Sequence, residues 1–382
     1  MISSASGSRA LFDIGDAERA AFRALPRHVW DFIDGGSGSE STLRANRTAL
    51  DQVCLTPRAL TGVTHGDCAG ELLGSPVSMP VAVAPMAYQR LVHPDGELAL
   101  ARAARSAGVV FIASMLSSRT IEAIAGVGAE TWFQLYWLRD RDRTEELIKR
   151  AEASGCRALV LTVDVPRMGR RLRDMRNAFT LPNTVTAANL PESPAAGPGS
   201  TAHREQPGGS AVMVHTAEAL DPALSWADLE WIRDRTGLPL VLKGIMDPAD
   251  ASRAVDAGVD AMVVSNHGGR QLDGALPSVT ALSSVVREVS GRCPVLVDSG
   301  IRSGTDVLKA LALGASGVLV GRPALWGLAA GGRDGASEVL HLLHTELEQA
   351  MTLAGCADLS SAGRLTTTVP AGVLAARTGT TP

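Results

Sequence analysis

Short apolar runs punctuate this chain: "VAVA" from Val81, "VVFIAS" from Val109, "WFQLY" from Trp132, "ALVLTVD" from Ala158, "PLVLKG" from Pro239, "AMVVSN" from Ala261, "PVLVDSG" from Pro294 and "GVLVGR" from Gly317. Each is continuous rather than alternating, as expected of a parallel strand covered on both faces. Amphipathic stretches separate them, such as "TEELIKRAEASG" and "DPADASRAVDAG"; the second opens with Asp247 as N-cap and Pro248 at the first helical position. Eight βα units in succession predict an α/β fold of the TIM type, a (β/α)8 barrel.

Two segments fall outside this rhythm. Before the first run lies a lead-in, residues 1–80, with an amphipathic stretch at "AERAAFRALPRHVWDFIDGG" that predicts helices packed on the barrel, so that residues 1–382 form one domain. From Ala158 to Pro239 the spacing is far longer than one βα unit, which places an insertion over 177–225. Its middle, "ANLPESPAAGPGSTAHREQPGGSAVMV", is rich in Pro, Gly and Ser and lacks a period. It reads as a mobile loop over one barrel face, with an inert linker as the alternative.

Composition narrows the function classes. The 382 residues are 45% hydrophobic and 20% charged with a net charge of −4, so no global basic field argues for nucleic acid or an acidic membrane. No stretch approaches the ~18 apolar residues of a membrane span, and "MISSASGSRALFDIGDAERA" lacks the pattern of an export signal. Five cysteines, far apart and without a CxxC pair, read as buried thiols in a reducing, cytoplasmic compartment, with no metal site expected.

Chemistry in such barrels sits where strands end. Here the runs end in Gln134 and Tyr136, Thr162 and Asp164, Lys243, Ser265 with Asn266 and His267, Asp298, and Gly321 with Arg322. The last two loops, "DSGIRSGTD" and "GRPA", carry Gly300, Arg302, Gly304 and Gly321, a pattern suited to an oxyanion and predicting a phosphate-bearing ligand. In "DVPRMGRRLRD", most of Arg167, Arg170, Arg171 and Arg173 read as a solvated face, while one of them, with Arg270, would supply forked donors for a carboxylate. His267 beside Arg270, with Asp164 able to fix its tautomer, reads as a base. Lys243 is one of three lysines against 33 arginines and ends an apolar run, so a surface role is a poor reading.

Together these segments resemble the FMN-dependent 2-hydroxy-acid oxidases and dehydrogenases, which include glycolate oxidase, lactate oxidase and mandelate dehydrogenase. The similarity runs through "LPRHVWDFIDGG", "HPDGE", "WFQLY", "LTVDVPRMGRR", "LVLKGI", "SNHGGRQLDG", "VDSGIRSGTDVLKALALGA" and "GRP", from about Leu25 to Gly355. The resemblance implies that His267 takes the substrate hydroxyl proton with Asp164 as partner, that Arg171 and Arg270 hold the substrate carboxylate, and that Tyr136 bonds near the reacting hydroxyl. It also implies FMN contacts from Pro85, Met86, Ala87, Ser114, Gln134, Thr162, Lys243 and Ser265. The phosphate would lie on Asp298, Ser299, Gly300 and Arg302 and on Gly321 and Arg322. A homo-oligomer, a tetramer in this family, is implied too, as is preference for the S enantiomer.

Departures from the family pattern sharpen the expectation. Many members place a tyrosine on the substrate carboxylate where this chain has Phe32, and the glycolate-type tryptophan is replaced by Met115 and Leu116 in "IASMLSSRT". A more apolar, roomier pocket lined by Phe32 and Met115 predicts an aromatic 2-hydroxy acid, mandelate or 4-hydroxymandelate, above glycolate or lactate. The polar, Pro/Gly-rich insertion is unlike the membrane anchor of mandelate dehydrogenase, and Ala87 resembles the oxidases, so molecular oxygen is the expected acceptor. Two competing readings are a Schiff-base aldolase built on Lys243 and a non-catalytic flavin-binding barrel.

Overall fold

The computed structural model describes residues 11–190, 201–204 and 209–368. All eight apolar runs become strands of one closed parallel barrel: β1 (Val81–Val83), β2 (Val110–Ser114), β3 (Thr131–Leu135), β4 (Leu159–Thr162), β5 (Leu240–Ile245), β6 (Ala261–Val264), β7 (Val295–Val297) and β8 (Gly317–Val320). Val318 of β8 pairs with Val81 of β1 and closes the ring. Small and branched side chains, among them Ala82, Val160, Val241 and Val263, fill the interior with Trp132. No helix among the described residues is long and apolar enough to cross a membrane.

The described lead-in is helical only in its first part. Helices α1 (Ile14–Ala24), α2 (Arg27–Asp34) and α3 (Ser41–Gln52) are followed by a hairpin of Gly70–Leu72 with Ser75–Val77. Leu73 and Gly74 both have positive φ (49° and 76°), the sign a tight two-residue turn requires. Leu72 and Val77 join the barrel interior, and Leu72 abuts Gly317, the first residue of β8, so the hairpin stoppers the N-terminal end. The other end is left for chemistry. Asp13 caps α1, whose buried stripe is Ile14, Ala17 and Ala21; α2 buries Trp30 and Phe32, and Trp30 stacks on Trp326 at 6.3 Å.

The insertion differs from the expected loop. Residues 191–200 and 205–208 lie outside the described residues, but within 177–225 a 3-10 turn forms at Thr201–His203 and a helix at Ala211–Ala219. "AVMVHTAEA" consists mostly of residues that lose little on entering a helix, and it buries Ala211, Val212 and Thr216. The Pro/Gly composition upstream hid it. Of the cysteines, Cys54 is exposed and Cys293 half-buried, so the reading of buried thiols holds for Cys68, Cys156 and Cys356 only.

Candidate active site

Beyond β6 the backbone makes three successive left-handed residues, His267, Gly268 and Gly269, with φ of 59°, 67° and 73°. For a histidine this is an uncommon conformation, and the surroundings hold it there. Asn266 exchanges amide hydrogen bonds with Asn46 of α3 and accepts from the Gly269 N–H, while Ser265 Oγ accepts from the His267 N–H. The imidazole is thereby delivered to Asp164, with Nδ1 3.0 Å from Oδ1. Asp164 itself fits because β5 bulges at Gly244 (φ 117°); a Cβ there would lie 2.6 Å from the Cβ of Asp164.

The charge states follow from burial and neighbours. Burial drives the His267 pKa down, the ion pair with Asp164 only partly restoring it, so the ring is neutral at pH 7. Burial opposes ionisation of Asp164 as well, but His267 and Lys243 outweigh it and hold the carboxylate below its usual range. With Nδ1–H donated to Asp164, Nε2 carries the free lone pair. Lys243 donates to Ser265 Oγ at 2.9 Å and meets Asp298 Oδ2 at 3.0 Å. Burial lowers its pKa, but Asp298 and Asp164 more than offset this and hold it above its usual value, which favours the ammonium ion over the neutral amine a Schiff-base aldolase needs.

Four arginines complete the picture, Arg171 buried and Arg270, Arg302 and Arg322 half-buried. Arg171 and Arg270 lie 5.9 and 5.7 Å from the centre of the same Phe32 ring, which stacks on Phe179. Arg171 Nε has no partner among the described residues. Arg270 donates to the carbonyls of Phe32, Ile33 and Gly35, so it also ties down the last turn of α2, a duty its position in the chain gave no sign of. Arg322 reaches Ile33, Gly35 and Gly268 carbonyls, and Arg302 lies over Trp326. Burial pushes Arg270 and Arg302 down to about 9 and Arg322 to about 10, and Arg171 in the same direction. None of the four forms an ion pair with a described carboxylate. Asp174, Asp34, Glu18 and Glu40 act on them only from farther away, and such a concentration of largely enclosed positive charge fits anionic ligands. Arg167 and Arg170 are exposed as expected, whereas Arg173 is half-buried and bridges Asp34 and Glu40.

A single cavity of about 1190 Å³, counted out to solvent at its mouth, receives these groups. Pro85, Met86, Ala87, Ser114, Tyr136 and Lys243 line it, as do Phe32, Arg171, His267 and Arg270. Asp298, Ser299, Gly300 and Arg302 line it too, with Gly321 and Arg322 at the start of the helix Arg322–Ala354. Gln134 and Thr162 sit behind the wall in a chain from Ser114 Oγ through Gln134 to Thr162 Oγ1, and Ser265 and Asp164 likewise back the lining residues. Met115 corrects the expectation of a substrate contact: it is sealed, its sulfur 3.2 Å from the Tyr136 nitrogen, and Leu116 takes the wall position. Burial and the nearby Asp164 push the Tyr136 phenol up to about 12, so it is a donor. Sequence reasoning missed Tyr88, Val165, Met168, Val212, Thr216 and Gln271 on the wall. Val165 and Met168 were within reach, since they flank the loop that carries Arg171.

Residues 21–368 match the family model for FMN-dependent dehydrogenases. The chain belongs to that family. It is 56% identical to the 4-hydroxymandelate oxidase of Amycolatopsis orientalis over 93% of this chain and 97% of that one. It is 46% identical to an L-lactate oxidase of Nostoc sp., covering 90% and 94%. A crystal structure of mandelate oxidase with (S)-4-hydroxymandelic acid superposes with a TM-score of 0.91 at 55% identity, covering 94% of this chain and 99% of that one. The family's cofactor is FMN, and the residues present fit it. Arg302 and Arg322, the glycine-capped start of the helix Arg322–Ala354 and the left-handed Ser299–Gly300 backbone offer the donors a phosphate needs, and Lys243 lines the same cavity.

Proposed function

We propose that this protein oxidises aromatic (S)-2-hydroxy acids, mandelate or 4-hydroxymandelate, to the 2-oxo acids, with FMN as cofactor and molecular oxygen as acceptor, giving hydrogen peroxide. The observation that carries this is His267 Nδ1 3.0 Å from Asp164 Oδ1, the imidazole sharing one cavity with Arg171 and Arg270, neither of which makes a direct ion pair with a described carboxylate.

Arg171 and Arg270 orient the substrate carboxylate through forked donors. His267 Nε2 accepts the hydroxyl proton, and Asp164 stabilises the imidazolium that results. Tyr136 donates a hydrogen bond to the substrate oxygen before that proton leaves. Lys243 contributes a fixed positive charge to the cavity. FMN, held by Lys243, Arg302 and Arg322, would supply the two-electron acceptor for the carbinol carbon, with oxygen as the final acceptor. Phe32, Leu116 and Val212 favour an aromatic side chain over the hydrogen or methyl group of glycolate or lactate. A homotetramer in the cytoplasm belongs to the same reading; holoenzyme sedimenting as a monomer would remove that part.

The test is oxygen uptake by purified holoenzyme with (S)-mandelate, (S)-4-hydroxymandelate, (S)-lactate and glycolate. Peroxide formed stoichiometrically with the aromatic acids is expected. A clear preference for glycolate would end the aromatic assignment, and turnover only with an added dye would end the oxidase assignment.

A further inference from the structure

The insertion helix Ala211–Ala219 places Val212 and Thr216 one turn apart on the cavity wall, beside Leu116, Val165 and Met168. These neighbours are apolar, and Thr216 adds a hydroxyl among them. Its Oγ1 donates to the Val212 carbonyl at 2.7 Å. A hydroxyl has one proton to give and two lone pairs. With the proton committed, Oγ1 can only accept.

The other polar groups nearby are already engaged or closed off. Ser114 Oγ donates to Gln134 and accepts from the Leu116 N–H. Gln271 donates to the Asp164 and Arg167 carbonyls and accepts from the Gly169 N–H. Tyr88 has a hydroxyl without a partner among the described residues, but that oxygen is sealed, the residue being 1% exposed against 7% for Thr216. With the Tyr136 phenol assigned to the substrate's reacting oxygen, Thr216 is the hydroxyl left to read a ring substituent.

We propose that Thr216 sets the preference for a para-hydroxylated ring by accepting a hydrogen bond from the substrate's phenolic O–H. This rests on the aromatic-substrate reading above and adds to it the residue that discriminates between two aromatic acids. A bare ring leaves only a lone pair of Oγ1 unused while its proton remains satisfied, so mandelate is tolerated and the preference is modest, roughly tenfold at most. Methoxy or fluoro substituents, which cannot donate, gain nothing from the contact.

The experiment compares kcat/KM for 4-hydroxymandelate, mandelate and 4-methoxymandelate in FMN-loaded wild type, Thr216→Val and Thr216→Ser. Dissociation constants for benzoylformate and 4-hydroxybenzoylformate, read from the flavin spectrum, provide a second measurement. Wild type and Thr216→Ser should favour the para-hydroxyl compounds by about five- to tenfold, and Thr216→Val should bring that ratio near one by lowering kcat/KM for 4-hydroxymandelate more than for mandelate. A ratio preserved in Thr216→Val, or equal loss on both acids, would overturn the assignment and leave the aromatic-substrate reading standing. A wild type that oxidises no aromatic acid would bring down both.

Discussion

His267 can act as a base at neutral pH only because its carboxylate partner does not fully repay the cost of burying an imidazolium. The sign of the pH dependence follows. The active form is the neutral ring, whose pKa lies below the ordinary 6.5, so kcat/KM should stay flat through neutrality and fall on the acid side only below that value. Asp164→Asn removes the charge that raises the imidazole pKa and stabilises its protonated form. The acid limb should move lower still while the plateau drops by about two to three orders of magnitude. His267→Gln should lose roughly 10³-fold in turnover while keeping its yellow colour; a variant that retains most activity would remove His267 from the proton transfer. Arg171→Met should raise KM by about two orders of magnitude, since a charge-assisted bidentate contact is lost. These residues were legible because an apolar run has no reason to end in a base and a fixed cation. Arg270's bonds to α2 were not, because its partners lie more than 230 positions away in the chain.

Elements place those residues through features that sequence periodicity conveys unevenly. The eight strands were readable as continuous apolar runs because a barrel strand is buried on both faces. The hairpin Gly70–Val77 and the helix Ala211–Ala219 were not, since the first is too short to show a period and the second follows a Pro/Gly-rich stretch that set the expectation for the whole insertion. The bulge in β5 shows a single residue acting through its element. Gly244 occupies a φ of 117°, and any side chain there would meet Asp164 at both its Cβ and its backbone nitrogen, 2.6 and 2.9 Å away. Gly244→Ala should cost about 1–3 kcal/mol of stability from backbone strain. It should also lower kcat disproportionately, because the displaced carboxylate no longer meets His267. Chemical denaturation paired with kinetics on the FMN-loaded variant checks this; a loss of stability with kcat intact would show that the bulge serves packing alone.

Across the whole molecule, the fold has concentrated four guanidinium groups and an ammonium ion at the open end of a barrel whose overall charge is −4. Lys243 has Asp298, but Arg171, Arg270, Arg302 and Arg322 have backbone carbonyls and aromatic rings in place of carboxylates. Enclosing these charges with carboxylates only at longer range penalises the folded apoprotein, and the penalty is relieved when anions arrive. Stability should therefore be linked to the cofactor through its phosphate. A ligand present at 100 times its Kd adds about 2.7 kcal/mol, which for a protein of this size raises Tm by a few degrees. Thermal melts of the apoprotein should rise most with FMN, less with inorganic phosphate, and least with riboflavin, which has the same ring system but no phosphate. Arg322→Gln should shrink the gap between FMN and riboflavin while leaving the riboflavin shift in place. Equal stabilisation by riboflavin and FMN would contradict the assignment of Arg302 and Arg322 to the phosphate and would require another reason for burying them at the ends of β7 and β8.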